Sequence, residues 1–395
     1  MSKFEVPVGP QHPALKEPEN FTFVVDGEHI IEVRPRIGYN HRGIEKAAES
    51  RTYIQNLYLM ERICGICSVA HTTCYAQNVE YLYEKEIPPR AEYIRVIINE
   101  LNRIHSHLLW LGIAGHEIGF DTLFMYVWRD REHVMDVIEA ITGNRVNYAI
   151  NTIGGVRRDL TDEAIAKARK VLDTLEERTK YYRRVAAAEP SLISRVKGIG
   201  ILKPSDAVRL CAVGPTLRAS AIKSDVRKDD PYSAYEEIPF NAVSYDMCDV
   251  FSRILVRVDE TLEAINIIRY CLDHLPNGPV RIKLPRNPPA GEAVSKVEAP
   301  RGEDIHYVRS DGTERPARYK VRAPTLGNIP AVCDMLTSKA DCTVNIADIP
   351  IVLASIDPCF SCTDRAIKFV DPRKQKEWIW SHEQLERYSR RKANP

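Results

Sequence analysis

No stretch of the 395-residue chain approaches the run of about 18 apolar residues that a membrane-crossing helix requires. No transmembrane helix is therefore expected, and any tie to a membrane should come through partner subunits. The opening residues MSKFEVPVGP hold no apolar signal core, so export by that route is not expected either. Neither charge sign dominates: 55 Lys and Arg face 54 Asp and Glu, a net +1. That balance gives no reason to expect nucleic acid or an acidic membrane surface as the main partner. Internal repeats and low-complexity linkers are missing too. What remains is a 44% hydrophobic chain, enough for a large core.

The first stretch has β character. Phe21, Phe23 and Val25 alternate, Asp26-Gly27 is a hairpin signal, and Ile31 and Val33 follow. Asp311-Gly312 is a second hairpin signal, between IHYV and ARYKVRA. The middle reads as helical. Tyr93, Ile97, Leu101, Ile104 and Leu108 form one stripe of a long helix over Arg90 to Gly112. Further helices are expected from Arg131 to Ile141, after the N-cap Thr161, and from Asn241 to His274, where Pro276-Asn277-Gly278 ends the pattern. Residues 285–300 are Pro-rich and read as a surface loop. The expected class is mainly α with small β-sheets. One domain over 1–365 is favoured: a β-hairpin region to about residue 45, a helical core to about 275, and a mixed part beyond, with 366–395 as an extension.

Ten cysteines are many for a chain without a secretion signal. Cys74, Cys211, Cys248, Cys271, Cys333 and Cys342 stand alone and read as small buried hydrophobes in a reducing compartment. Cys64 and Cys67 form one C-x-x-C pair, Cys359 and Cys362 another, at opposite ends of the chain. Such spacing lets two sulfurs converge on one centre, and thiolates are soft ligands for zinc, copper(I), iron or nickel. A common zinc module would place the pairs about 15–20 residues apart, far closer than here. Spacing alone leaves four readings open: structural zinc, a thioredoxin-like redox pair, unrelated buried cysteines, or a redox metal cluster.

The flanking residues are more specific. Arg62-Ile63-Cys64-Gly65-Ile66-Cys67, with His71 four positions on, resembles the N-terminal cluster motif of [NiFe] hydrogenase large subunits, and Asp357-Pro358-Cys359-x-x-Cys362 resembles their C-terminal motif. Glu298-Ala299-Pro300-Arg301-Gly302 is similar to a third family segment, one that places an arginine over the metals. Cys362-Thr363-Asp364-Arg365 resembles the group 4, energy-converting, formate-hydrogenlyase-like branch; most other branches carry histidine where Arg365 stands. Gly9-Pro10-Gln11-His12-Pro13-Ala14 and His41-Arg42-Gly43-Ile44-Glu45-Lys46 also resemble the quinone-site subunit of respiratory complex I, a relative that lacks the cysteine pairs.

The resemblance implies a [NiFe] hydrogenase fold and a nickel ion on all four thiolates. Cys64 and Cys359 would be terminal ligands, while Cys67 and Cys362 would bridge to an iron carrying carbon monoxide and cyanide. It implies reversible dihydrogen oxidation, with a cysteine thiolate as first proton acceptor. Glu17 follows from the Gly-Pro-x-His-Pro…Glu-Pro pattern as a buried relay carboxylate. Arg301 would supply fixed positive charge, Asp357 would support it or cap a turn before Pro358, and His71 would donate to a cysteine sulfur. Glu45 matches the family's magnesium glutamate; with Arg365 in place of the usual histidine, magnesium or a Glu45–Arg365 ion pair are both open. His105 and His107 lie two apart on one helix and are assigned no role.

No remaining cysteine set suits an iron–sulfur cluster, so electrons would leave through an Fe-S small subunit. The complex I-like motifs imply other peripheral subunits and a membrane arm, with this chain peripheral on the cytoplasmic side of the cell membrane. Residues 366–395 hold eight Lys or Arg against four Asp or Glu, with Trp378, Trp380 and a helix expected around Glu383 to Tyr388. Similar tails in formate-hydrogenlyase-like large subunits are removed by a maturation protease, and the cut here would fall after Arg365; a permanent docking helix is the other reading.

Overall fold

The computed structural model describes residues 3–13, 15, 17–339, 342–363 and 387–388, and the backbone of 367–371 and 376–380. An antiparallel sheet comes first: β1 (Lys3–Val8), β2 (Asn20–Asp26) and β3 (His29–Arg36), in that spatial order. Alternation along β2 buries Phe21, Phe23 and Val25 completely on one face. Gly27 and Glu28 form the two-residue turn into β3, since Asp26 pairs with His29.

Helices follow: α1 (Ile44–Glu49), α2 (Tyr53–Glu61), α3 (Ser68–Tyr81), α4 (Pro89–Ile118) and α5 (Asp121–Thr142). Two short strands, β4 (Asn151–Thr152) and β5 (Gly155–Val156), precede α6 (Asp162–Ala188). Four short helices lead to α11 (Val250–Asp273): α7 (Pro190–Val196), α8 (Pro204–Arg209), α9 (Gly214–Arg218) and α10 (Val226–Asp229). A second antiparallel sheet joins β6 (Gly291–Ala299), β7 (Gly302–Ser310) and β8 (Arg318–Arg322). Then come α12 (Pro324–Leu336), α13 (Ile349–Ser355) and a hairpin of β9 (Ile367–Asp371) and β10 (Lys376–Trp380). Among the described residues, no helix is long and apolar enough to cross a membrane. Mainly helical with small sheets, the architecture is that of the expected class.

α4 is the axis of the bundle. Its thirty residues span about 45 Å, and it packs against α3, α5, α11 and α13. The stripe Tyr93, Ile97, Leu101, Ile104 and Leu108 is buried as its spacing predicts. Arg95, Glu100, Arg103, His105 and His107 are buried as well, so polar side chains also face the interior. Thr161 caps α6 by accepting from the Ala164 amide at 3.2 Å.

Three segments differ from expectation. α5 begins at Asp121, not near Arg131, because Asp130 interrupts its apolar stripe; that carboxylate is buried and accepts from the Tyr182 hydroxyl at 2.5 Å. α11 begins at Val250, not Asn241, because Asp249 and Ser252 form a capping box that stops the helix from extending backwards. Residues 291–299 are a strand, not a surface loop: the prolines at 285, 288 and 289 all precede it, and it pairs along its whole length with β7.

The β6–β7 turn comprises Pro300 and Arg301, with Ala299 paired to Gly302. It presses against the start of α9. A Cβ on Gly214, whose φ is +66°, would lie 2.3 Å from Gly302 Cα, and Gly302 itself has φ +126°. Only glycine fits either side of this crossing. Gly214→Ala is expected to destabilise the fold by about 2 kcal/mol, from overpacking and a left-handed backbone. A thermal melt unchanged from wild type would contradict it.

Candidate metal centre

The two cysteine pairs, distant in sequence, meet in the interior. Cys64 lies in the loop after α2, and Cys67 is the residue that caps α3. The amides of Ile66 and Cys67 point at Cys64 Sγ, at 3.3 and 3.4 Å. Donors at a helix start favour a thiolate there. On the other side, Asp357 takes φ +53°, which the short polar side chain of aspartate tolerates, and residues Phe360–Cys362 make a single 3-10 turn. Thr325 at the start of α12 fixes this loop by accepting from the Cys359 amide at 3.0 Å. Phe360 packs tilted against Phe21, 5.9 Å between ring centres, which ties the loop to the first sheet.

Cys359 Sγ lies 3.2 Å from Cys64 Sγ and 3.1 Å from Cys362 Sγ. The ligand atoms of Cys64, Cys359 and Cys362 all fall within 4.8 Å of one another. Cys67 is buried beside them and interacts with all three. All ten cysteines are free thiols. Hydrogen bonds from Cys359, Cys362 and Cys67, aided by the charge of Arg301, hold the Cys64 thiol well below its ordinary value. The Cys67 and Cys362 thiols are pushed well up, each chiefly by its hydrogen bond with Cys359, so the quartet does not carry four negative charges by itself. Soft donors converging in a dry site fit a soft metal ion or a pair of metals. Among the solitary cysteines the expectation of burial fits Cys74 and Cys271, while Cys211 is exposed and the other three are half-buried.

Arg301 projects from the β6–β7 turn and is 2% exposed. Its Nε donates to the Asp357 carbonyl and its Nη2 to Asp357 Oδ1, both at 2.7 Å, and Nη1 donates to Ser106 Oγ on α4 at 3.1 Å. Asp357 thus binds the arginine through both its backbone and its side chain. Burial still pushes the Asp357 carboxyl up, against the pull of Arg301 and Arg257. Behind the turn, Arg103 donates to the carbonyls of Glu298 at 2.6 Å and Ala299 at 3.3 Å. Arg218 binds the Glu298 carboxylate at 2.8 Å. These buried cations hold the strand end that aims Arg301.

His71, on α3, places Nε2 3.8 Å from Cys362 Sγ. Its Nδ1 lies 2.8 Å from Asp304 Oδ2. Asp304 also pairs with His306 at 3.2 Å, and His306 hydrogen-bonds the Tyr319 hydroxyl. Burial works against protonation of His71, but Asp304 outweighs it and the ring sits above its ordinary pKa. Glu17 holds the segment between Cys359 and Cys362: its two oxygens accept from the Ser361 amide at 2.8 Å and the Ser361 hydroxyl at 2.6 Å. That hydroxyl lies 3.4 Å from Cys359 Sγ. Glu45 accepts from the Val321 amide at 3.0 Å; Arg365, its expected alternative partner, lies outside the described residues. His105 is held neutral, pushed down to about 3 by burial and the Arg131 charge, with Nδ1 accepting from Arg131 at 2.9 Å. His107, pushed down to about 4 by burial, pairs with Glu260 at 2.9 Å.

Comparison with known proteins decides the family. The family model "Respiratory-chain NADH dehydrogenase, 49 Kd subunit" matches residues 117–288 and 285–365, and "Nickel-dependent hydrogenase" matches residues 42–112. The membrane-bound hydrogenase subunit alpha of Pyrococcus furiosus is 40% identical over 91% of this chain and 87% of its own length. The chain belongs to the group 4 branch of [NiFe] hydrogenase large subunits, related to the complex I 49 kDa subunit. Within this family it is also 38% identical to an NADH-quinone oxidoreductase subunit of Rhizobium etli, over 91% of this chain and 94% of that one. A chain of the solved membrane-bound sulfane sulfur reductase, an archaeal respiratory membrane complex, superposes with TM-score 0.86 at 31% identity, covering 92% of this chain and 98% of that chain. Relatives of this kind are parts of multisubunit membrane complexes.

Residues with no role at the sequence level also join the site. Arg42 donates to the carbonyls of Arg62 (2.7 Å) and Ile63 (2.8 Å) before Cys64, and to that of Ser361 (3.2 Å) before Cys362. One guanidinium thus staples both cysteine loops. Its presence in the His41–Lys46 motif was the available signal. Arg42→Ala is expected to raise the rate at which an alkylating reagent reaches the thiols of Cys64 and Cys359 severalfold, with Arg42→Lys in between, because lysine lacks the planar fork. Wild-type labelling of both cysteines in Arg42→Ala, by mass spectrometry, would show that the staple is dispensable.

Proposed function

We propose that this chain is the catalytic large subunit of a membrane-associated, energy-converting [NiFe] hydrogenase, catalysing reversible dihydrogen oxidation and proton reduction. The convergence of four cysteines, three of them buried and Cys362 half-buried, beside a buried arginine is the observation that carries this reading. Cys64, Cys67, Cys359 and Cys362 would hold the metals. A bound Ni–Fe centre, with carbon monoxide and cyanide on iron, supplies the polarisation of dihydrogen and the exchange of electrons.

The chain's own groups handle charge and protons. Arg301, anchored by Asp357 and Ser106, offers a fixed positive charge against the sulfurs, strong because water is excluded. The Cys359 thiolate takes the proton released on heterolysis. Ser361 is placed to pass that proton on, with its hydroxyl between Cys359 Sγ (3.4 Å) and Glu17 Oε1 (2.6 Å). His71, held by Asp304, steadies Cys362 from the opposite side. Electrons leave to an Fe-S small subunit, and complex I-like peripheral and membrane-arm subunits couple the reaction to ion translocation at the cytoplasmic face of the membrane. Glu45 is a candidate magnesium ligand or the partner of Arg365.

The second reading is a quinone-module or sulfur-acceptor subunit without hydrogenase activity. Similarity to the Rhizobium etli NADH-quinone oxidoreductase chain and to the sulfane sulfur reductase favours it. A four-thiol site has no purpose in quinone binding, which is why hydrogen chemistry ranks first.

The infrared spectrum of the purified native complex separates the two. Carbonyl and cyanide bands that shift under dihydrogen are expected, and a silent spectrum from metal-loaded complex would leave the acceptor reading. Glu17→Gln should retain those bands but lose about 100-fold in proton-coupled turnover; wild-type turnover would remove Glu17 from the path. Residues 366–395 are proposed to be cut off after Arg365 once nickel is in place. Mass spectrometry of active complex should find the large subunit ending there; active enzyme with the tail intact would make the tail a docking element instead.

A further inference from the structure

Glu19 is buried, 0% exposed, and the relay described above makes no use of it. It lies two residues beyond Glu17, across Pro18, and the two carboxylates grip the same short segment. Glu17 holds Ser361, while Glu19 Oε1 accepts from Thr363 Oγ1 at 3.2 Å. Glu19 Oε2 has no hydrogen-bond partner among the described residues. The chain wraps closely here: a Cβ on Gly9, at φ +101°, would lie 1.9 Å from the Glu19 carbonyl oxygen.

A buried carboxylate used only as a structural anchor normally has both oxygens satisfied by donors or a cation. Glu19 has one oxygen satisfied and one free. Burial pushes its carboxyl up to about 7, against the hydrogen bond from Thr363 and the lesser pull of the nearby Gly38 and Asn40 groups, and the charge of Glu17 adds to the rise. Glu17 is the ionisable group whose charge acts on it most.

We propose that Glu19 is the second carboxyl of the proton route, receiving from Glu17 the proton that leaves the cysteine sulfurs. The proposal rests on the hydrogenase reading, since that reading makes Glu17 a proton carrier. No electron moves in these steps. The Cys359 thiol gives its proton to Ser361 Oγ as Ser361 gives its own to Glu17. Glu17 then transfers a proton to the open oxygen of Glu19 and returns to its carboxylate, and each step runs backwards during proton reduction. A group that loads and unloads near neutral pH suits both directions.

The test uses the intact complex with wild type, Glu19→Gln and Glu19→Asp. The first readout needs no turnover: infrared difference spectra over a pH series, in the region of the protonated carboxyl stretch. Wild type should show a buried carboxylic acid that titrates near pH 7 and is missing in Glu19→Gln. A spectrum in which no such band depends on Glu19 would overturn the proposal. The second readout is hydrogen–deuterium exchange between gas and water. Glu19→Gln should lose at least about tenfold, with nickel content and diatomic bands unchanged and a larger solvent isotope effect. Wild-type exchange in that variant would overturn the proposal alone. If Glu19→Gln fails to retain nickel, Glu19→Asp decides: depressed exchange at full nickel supports the relay, and a wild-type rate ends it. A wild-type complex with neither exchange nor diatomic bands would overturn the hydrogenase reading and, with it, this role.

Discussion

Four cysteine sulfurs must share one small volume at the interior, and the architecture around them serves that requirement. Bringing thiols to within 3.1 and 3.2 Å of each other concentrates negative charge as soon as they ionise. A low-dielectric interior makes such charge costly unless a cation or donors answer it. The buried Arg301 and the amides at the head of α3 meet that need, and Asp357 holds the arginine in place. A metal would complete the compensation.

Holding Arg301 in place demands its own support. The side chain comes from a two-residue turn, and a turn alone would let it wander. Arg103 and Arg218 clamp the strand end before it, and the crossing at Gly214 and Gly302 presses the turn against α9. Arg103, Arg218, Arg227, Glu100, Asp225 and Glu260 form one buried set of ion pairs around this region. Buried ion pairs are weak evidence for stability, yet they fix geometry well, because any displacement strands a charge away from water. Here they fix the position of the cation that faces the sulfurs.

The two sides of the sulfur cluster carry different groups. Cys362 faces His71, Asp304 and His306, a chain of neighbours within the interior. Cys359 faces Ser361 and then Glu17, a hydroxyl followed by a carboxylate. The first arrangement orients a ring against a sulfur; the second offers a path for a proton. Arg42 links the loops that carry both pairs, so the two pairs are mechanically joined.

Much of this was present in the residues themselves. The period of α4, the alternation of β2, the cap of α6 and the two C-x-x-C pairs depend on local geometry, which sequence spacing records directly. The flanking motifs likewise marked Arg301, Asp357, His71 and Glu17 as members of one site. Only the tertiary structure could decide what distance brings together: that Arg42 spans two loops, that Ser361 stands between Cys359 and Glu17, and that Glu19 is sealed away with one oxygen free. The same holds for the start of α5, where a buried Asp130 finds Tyr182 on another helix. A linear pattern reports which faces are apolar, whereas the partner of a buried polar atom is set by how the elements pack.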